Sequence, residues 1–395
     1  MKSVLATALA ASAALPALLA APAAAQDAPR KCGTADLMNP LFYQPVEQLP
    51  DSRIRFRLCA PEATEPRVVS ADIEAIPSGY DGKPAGLVMT RDQLGYWVAT
   101  TAVPVAAGTY SYGFRIGGLT MADPQAEQFS VSYRGTSSVL EVAGLGGAFQ
   151  RYDPAIPHGA VSTIDYSSAS LGVVRRAHVY TPPGYEKGGT RRYPVLYLVH
   201  GAGDSDDSWT SRGRAHYILD NLIASGKAVP MIVVMPAGHT VFKPGSDLFA
   251  NKDFADDLVK DLIPLIDGRY RTQADPAHRA MAGLSMGGAH TLSWGLPNPG
   301  VFGPIGIFSM GFYLPGQEER FIAANDANLR ARARAGAPVV FAMGKTDFLY
   351  PAVAPTRAIM DRYAIRYRYI ESEGGHTWVN WRDYLREFAG SIFKR

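Results

Sequence analysis

A large excess of charge of one sign is missing from this chain of 395 residues: 39 Lys and Arg oppose 36 Asp and Glu, leaving a formal net charge of +3. The arginines are scattered. A nucleic-acid-binding surface needs a basic stripe to meet phosphates, so that class of partner is excluded. Long apolar runs are also absent beyond the N-terminus, which leaves no later segment able to cross a bilayer. There are no sustained heptads, internal repeats or low-complexity tracts outside the first residues. Cysteine is scarce, with Cys32 and Cys59 the only two. Neither stands where a lipoprotein signal would need one.

What is present is ordinary globular material. The hydrophobic fraction is 47% and the charged fraction 19%, enough for an ample core and, at this length, for two domains. Residues 1–25 read as a secretory leader. Lys2 supplies the positive start, Val4 through Ala21 is apolar and alanine-rich, and Ala23-Ala24-Ala25 satisfies the small-residue rule for cleavage after Ala25. The expected location is periplasmic or secreted, with no membrane anchor. In an oxidising compartment Cys32 and Cys59 could pair; a buried free thiol at Cys59 is the other reading, and both stay open here.

The densest chemical signal is Gly283-Leu284-Ser285-Met286-Gly287. It fits the G-x-S-x-G elbow, in which a serine sits on a sharp turn between strand and helix. Arg279-Ala280-Met281-Ala282 reads as the strand entering it, and Gly287 through Leu292 as the helix leaving it. A serine hydroxyl needs a base and a group to orient that base. In this fold the chain order is serine, acid, histidine. Downstream, Val339 through Gly344 reads as a strand, and Asp347 sits in the loop after it. Glu373-Gly374-Gly375-His376 follows, a histidine on a glycine-rich loop after the strand-like Tyr367-Arg368-Tyr369-Ile370. Asp361 is the acid alternative in a helical pattern. Glu371 and Glu373 lie too near His376 in sequence to reach its far ring nitrogen comfortably. The expected catalytic set is Ser285, Asp347 and His376.

An oxyanion needs donors. Met286, the residue after the nucleophile, offers one backbone N–H. Ala202 offers the other, with Gly203 as the fallback, on the loop His200-Gly201-Ala202-Gly203 that follows the strand Tyr193 through Val199. His200 reads as structural, shaping that turn, and His290 as a packed or solvated helix residue. Trp209, Phe348 and Trp378 lie beside these motifs and are expected to form an aromatic slot for substrate, with plain packing as the competing reading. No metal and no organic cofactor is called for.

Residues 26–145 read as all-β. Arg53 through Leu58 alternates polar and apolar, with similar runs at Arg67 through Val69, Gly95 through Val98 and Thr109 through Ile116. Turn clusters separate them, as in a β-sandwich. The glycine-rich Ala143 through Ala148 marks a junction. Across 146–395 helices and strands alternate: Tyr217 through Ile223 and Phe254 through Ile263 read as helices, and Met231 through Met235 as a buried strand. This implies an α/β fold with a mostly parallel sheet covered on both faces. Arg330, Arg332 and Arg334 read as one solvated helix face.

With these residues assembled, the second domain resembles the feruloyl esterase branch of carbohydrate esterase family one, in the esterase D-like group of α/β-hydrolases. The resemblance is carried by His200 through Asp204 with Trp209, Ile218 through Ile223, Gly283 through Gly288, and Gly374 through Trp378 with Trp381 and Arg382. It implies hydrolysis of esters on feruloylated or acetylated cell-wall polysaccharide, with hydroxycinnamoyl esters of arabinoxylan as the first expectation. Alternatives on the same scaffold are an acetyl xylan esterase, a siderophore (enterochelin-type) esterase, or an inactive carbohydrate-binding protein. The first domain is similar to a family-48 carbohydrate-binding module, an immunoglobulin-like sandwich, through Tyr112-Gly113-Phe114-Arg115, Gly117-Gly118 and Asp123-Pro124. Trp97 is its only tryptophan, and its place in an alternating strand suits a core residue better than a sugar platform.

Overall fold

The computed structural model describes residues 31–33, 43–78, 84–133, 135–241 and 248–394. The leader and its cleavage point after Ala25 lie outside the described residues.

The N-terminal part consists of two antiparallel sheets around one core. Ile54–Leu58 alternates as its sequence requires, with Ile54, Phe56 and Leu58 buried. It pairs with Val46–Gln48 on one side and Trp97–Thr100 on the other. The second sheet is built on Gly108–Ile116, flanked by Gly135–Val142 and Arg67–Val69. Phe56 of the first sheet meets Tyr112 of the second at 5.3 Å between ring centroids, and Val68, Phe114 and Val142 fill the same core. Cys32 and Cys59 are joined by a disulfide. The Trp97 indole donates to Ala60 O at 2.9 Å and lies under the Arg91 guanidinium, so it is packed and covered. Leu145–Gln150 then forms a short 3₁₀ helix of about two turns. The Asn221 amide caps the exit, donating to Phe149 O and Arg151 O.

The rest of the chain builds an eight-stranded sheet: β1 (Ala160–Ser168), β2 (Val173–Thr181), β3 (Val195–Val199), β4 (Ile232–Pro236), β5 (Arg279–Leu284), β6 (Ile305–Phe308), β7 (Val339–Gly344) and β8 (Arg368–Ser372). Their spatial order is β1-β2-β4-β3-β5-β6-β7-β8. β1, β2 and β4 pair antiparallel, and every pairing from β4 onward is parallel. Strands β3 to β7 are buried at every residue. Their near-continuous apolar sequence follows from having a layer on each face. Tyr197, Met281, Ile307 and Phe341 fill one layer; Leu196, Leu198, Ala282 and Phe308 fill the other with Leu385 and Phe388 of the helix Trp378–Ala389. Each such large side chain contributes about 1.5–3 kcal/mol by leaving water.

The register brings the strand ends within two residues of one another, β7 and β8 running two residues past β5 and β6. Leu284, Phe308, Ala342 and Ile370 stand side by side across β5 to β8, and Val199 is beside Gly283. The loops carrying Ser285, Asp347, His376 and Ala202 therefore leave the sheet from the same edge, where ligands of open α/β sheets bind.

One expectation is corrected. Arg332 is not part of a solvated face: it is 1% exposed and donates to the carbonyls of Gly295, Leu296, Phe302 and Gly303. Helical geometry explains this. Arg330 and Arg334 are four apart and share the outer face of Gln317–Ala335, whereas a residue two positions on points the opposite way. Burial pushes the Arg332 guanidinium down to about 10.

Candidate active site

Ser285 sits between β5 and the helix Met286–His290 with φ 50° and ψ −116°, outside the regions an L-residue prefers. Its neighbours leave no alternative. A Cβ at Gly283 would come within 2.4 Å of the Gly287 carbonyl, and one at Gly287 within 2.3 Å of Val199 O. Strand, turn and helix thus pack closely enough to leave Ser285 half-exposed at the tip. The Ser285 N–H donates to Phe308 O at 3.0 Å, and its carbonyl accepts from Ala289.

Asp347 lies on the loop after β7, 3% exposed. Its Oδ1 accepts from the Leu349 N–H at 2.9 Å. His376 lies on the loop after β8, and its Nδ1 stands 3.0 and 2.9 Å from Asp347 Oδ1 and Oδ2. Facing two carboxylate oxygens, Nδ1 carries the proton and donates, which leaves the lone pair on Nε2. The ring is held from the side by Trp381, edge-on at 5.0 Å, whose indole is itself fixed by donating to Ser309 Oγ at 3.0 Å. Among the described residues no hydrogen bond joins the Ser285 hydroxyl to His376. The acid alternatives are engaged elsewhere: Glu371 accepts from Tyr350 at 2.7 Å, and Glu373 pairs with Lys345.

The Met286 amide starts the helix behind Ser285, while Ala202 and Gly203 are exposed on the loop after β3. His200 shapes that loop. Gly238 N–H donates to its Nε2 at 2.8 Å, so its Nδ1–H donates to Gly201 O at 2.8 Å. His290, buried and stacked on Phe254 at 4.2 Å, has its Nε2 3.1 Å from Gly238 O. Burial lowers His200 to about 4 and His290 to about 3, so both are neutral near pH 7.

The aromatic slot is revised. Trp209 and Trp378 are each 1% exposed and pack edge-to-face against one another at 5.0 Å, so neither presents a face to a ligand. Nearness in sequence to an active-site loop does not determine which side of it an indole occupies. Phe348 differs: it is 68% exposed with its ring 4.5 Å from that of His376. Several residues at this edge were not singled out from sequence. Trp381 was noted only for the resemblance, Arg212 gave no signal at all, and Tyr133 of the N-terminal part stacks on His239 at 4.0 Å. Among the described residues no group of His, Cys, Asp or Glu is arranged to hold a metal ion, and no helix is long and apolar enough to cross a membrane.

Comparison with known proteins gives the family. The Esterase family model matches residues 168–391. An endo-1,4-beta-xylanase/feruloyl esterase of Xylanibacter ruminicola is 39% identical over 286 residues, covering 70% of this chain. The chain spans only 38% of that relative's length. Among solved structures, the CE1 ferulic acid esterase of Anaeromyces mucronatus aligns with a TM-score of 0.54 and 21% identity, over 62% of this chain and 95% of its own. Enterochelin esterase of Shigella flexneri aligns with a TM-score of 0.65 and 19% identity, over 88% of this chain and 95% of its own. At these identities the two structures speak for the α/β-hydrolase-type esterase fold alone. The family model covers more than half of the sequence and includes the elbow and both of its downstream loops: the chain belongs to the Esterase family.

Proposed function

We propose that this esterase hydrolyses hydroxycinnamoyl esters, feruloyl above all, on plant cell-wall arabinoxylan through an acyl-enzyme on Ser285. The observation that carries the mechanism is the buried Asp347 carboxylate on His376 Nδ1, at the sheet edge where the Ser285 elbow emerges. It leaves Nε2 free to act as base. On this reading His376 takes the Ser285 proton as Oγ attacks the ester carbonyl. The amides of Met286 and Ala202 receive the oxyanion. His376 then protonates the departing sugar hydroxyl, and water activated by the same ring releases the acid. Asp347 keeps the imidazole oriented and stabilises its charged form.

The substrate class rests on the printed activity of the Xylanibacter ruminicola relative and on Phe348, an exposed ring beside His376 suited to a phenolic acyl group. Residues 26–145 are read as an immunoglobulin-like domain of carbohydrate-binding-module type and 146–395 as the hydrolase. Export to the periplasm or beyond rests on the leader-like first 25 residues, and the Cys32–Cys59 disulfide suits an oxidising compartment.

A second reading, cleavage of a catecholate siderophore ester, is favoured by one observation. The enterochelin esterase alignment extends over 88% of this chain, and so into the N-terminal sheets. Product analysis after incubation with feruloylated arabinoxylan, acetylated xylan and a catecholate siderophore decides between them. Release of ferulic acid well above the other products is expected. Turnover of the siderophore alone would replace the first reading with the second.

A further inference from the structure

The hydrolase and the N-terminal sheets are joined by a buried ionic link that ends at the oxyanion loop. Arg212 follows the short helix Ser208–Ser211. Its Nη1 donates to Asp204 Oδ1 at 2.8 Å. Its Nη2 donates to Asp72 Oδ2 at 3.1 Å and to Ser111 Oγ at 2.8 Å. Asp72 and Ser111 belong to the N-terminal part, 140 and 101 positions away in sequence. Ser111 also donates to Asp72 from both its hydroxyl and its backbone N–H. Asp72 is 4% exposed and Asp204 5% exposed.

Asp204 closes the turn that carries the candidate donors. Its N–H donates to Gly201 O at 3.1 Å. A Cβ on Gly201 would stand 3.2 Å from Asp204 Oδ2 and 3.4 Å from Ser285 Cβ. The carboxylate thus flanks the segment bearing the Ala202 and Gly203 amides, beside the nucleophile. Burial opposes ionisation of Asp72, yet the Arg212 charge and the Ser111 hydroxyl hold it below the usual carboxylate range. Burial raises Asp204, and Arg212 counters that. A second seam runs alongside. Ser205 Oγ donates to Val131 O at 2.7 Å, and Val131 N–H to Asp207 Oδ2 at 3.1 Å.

An ion pair this deep is a poor adhesive, because its desolvation offsets its attraction, and apolar residues of equal volume would join two bodies as well. What it supplies is direction. We propose that Arg212 is a positioning residue: clamped from the N-terminal sheets by Asp72, it fixes Asp204 and hence the Gly201–Gly203 backbone that receives the oxyanion, so that the N-terminal part completes the hydrolytic site. The inference rests on the reading of Ser285 as nucleophile and of this loop as donor.

The test uses the full-length protein and the variants Asp72→Asn, Arg212→Met and the double variant. Each is assayed for kcat and KM on p-nitrophenyl acetate and methyl ferulate, per active site counted with a fluorophosphonate. Removing an oxyanion donor outright costs roughly a hundred- to a thousandfold; loosening it should cost roughly ten- to a hundredfold in kcat, since acylation and deacylation both use the loop. KM should stay within about twofold. Affinity for a trifluoromethyl ketone, which forms the oxyanion on binding, should fall by a factor similar to kcat. The double variant should match Arg212→Met, because Asp72 acts through Arg212. Ser111→Ala, which removes one hydrogen bond without stranding a charge, provides a milder variant if the others fail to fold; it should lower kcat severalfold. Unchanged kcat and ketone affinity per active site in the variants that fold, whatever happens to the melting temperature, would overturn the proposal. Full activity of Ser285→Ala would instead sink the nucleophile reading on which it rests.

Discussion

Asp347 and His376 meet across the tips of β7 and β8, with both carboxylate oxygens within hydrogen-bonding distance of one imidazole nitrogen. This pairing decides which nitrogen of His376 is basic. Asp347→Asn would offer an amide N–H to Nδ1 and favour the tautomer with the proton on Nε2. The expected result is a fall in kcat of about ten-thousandfold with a near-native melting temperature. Steady-state kinetics at pH 7 on methyl ferulate would check it. A loss below tenfold would assign the orienting role to another group.

Phe348 stands open beside the imidazole while the two nearby tryptophans are sealed in the core. Phe348→Ala should raise KM for methyl ferulate several-fold and leave p-nitrophenyl acetate almost unaffected, because only the aromatic acyl group loses a stacking partner. Equal effects on both substrates would show that Phe348 acts on His376 and not on the acyl group.

Acid should unfold this protein early. Burial lowers His200, His216 and His239 to about 4 and His290 to about 3, from an ordinary value of 6.5. Between those values the unfolded chain binds protons that the folded one refuses, so stability rises with pH in that window. It is intact above pH 6.5 and is lost progressively as pH falls toward 4. Asp206, whose carboxylate is held low by His178 and Arg176 against the effect of burial, adds its loss only below the ordinary carboxylate range. Melting temperatures from pH 7.5 to 4.5 should show the decline, and His290→Gln should make it shallower.

Arg332 satisfies four carbonyls from inside the protein. Arg332→Met would take this donor from the Leu296, Phe302 and Gly303 carbonyls, while Gly295 O keeps the Asn298 N–H at 3.2 Å. Each unpaired buried group costs about 1–3 kcal/mol, and partial relaxation brings the expected total to roughly 3–5 kcal/mol. Urea denaturation would measure it, and kcat at low temperature should be nearly unchanged.

The parts of this molecule that could be read from sequence are those whose physics is local. Gly283 and Gly287 announce a turn because only glycine fits where strand and helix nearly touch. β3, β4 and β7 announce themselves by unbroken apolar runs, whereas β6 was not read from sequence. Asp347 and His376 were legible as a strand-end acid and a glycine-loop histidine, and the fold brings them into contact. Trp209 and Trp378 misled because the side of a loop on which an indole lies is set by tertiary packing. Arg332 misled because three arginines at alternate positions look like one face only if helical rotation is ignored. Arg212 with Asp72 was invisible: neither residue sits in a motif, and their meeting depends on how the two halves dock.

The level row of Leu284, Phe308, Ala342 and Ile370 divides the chain into regions of unequal tolerance. Adding one residue within β5, β6, β7 or β8 would shift that tip by about 3.3 Å and turn every following side chain to the opposite layer. Adding several beyond the row would change only the surroundings of the reacting ester. Diversification of the acids and alcohols accepted by such a scaffold is therefore expected to be written in loop length, with strand length held constant.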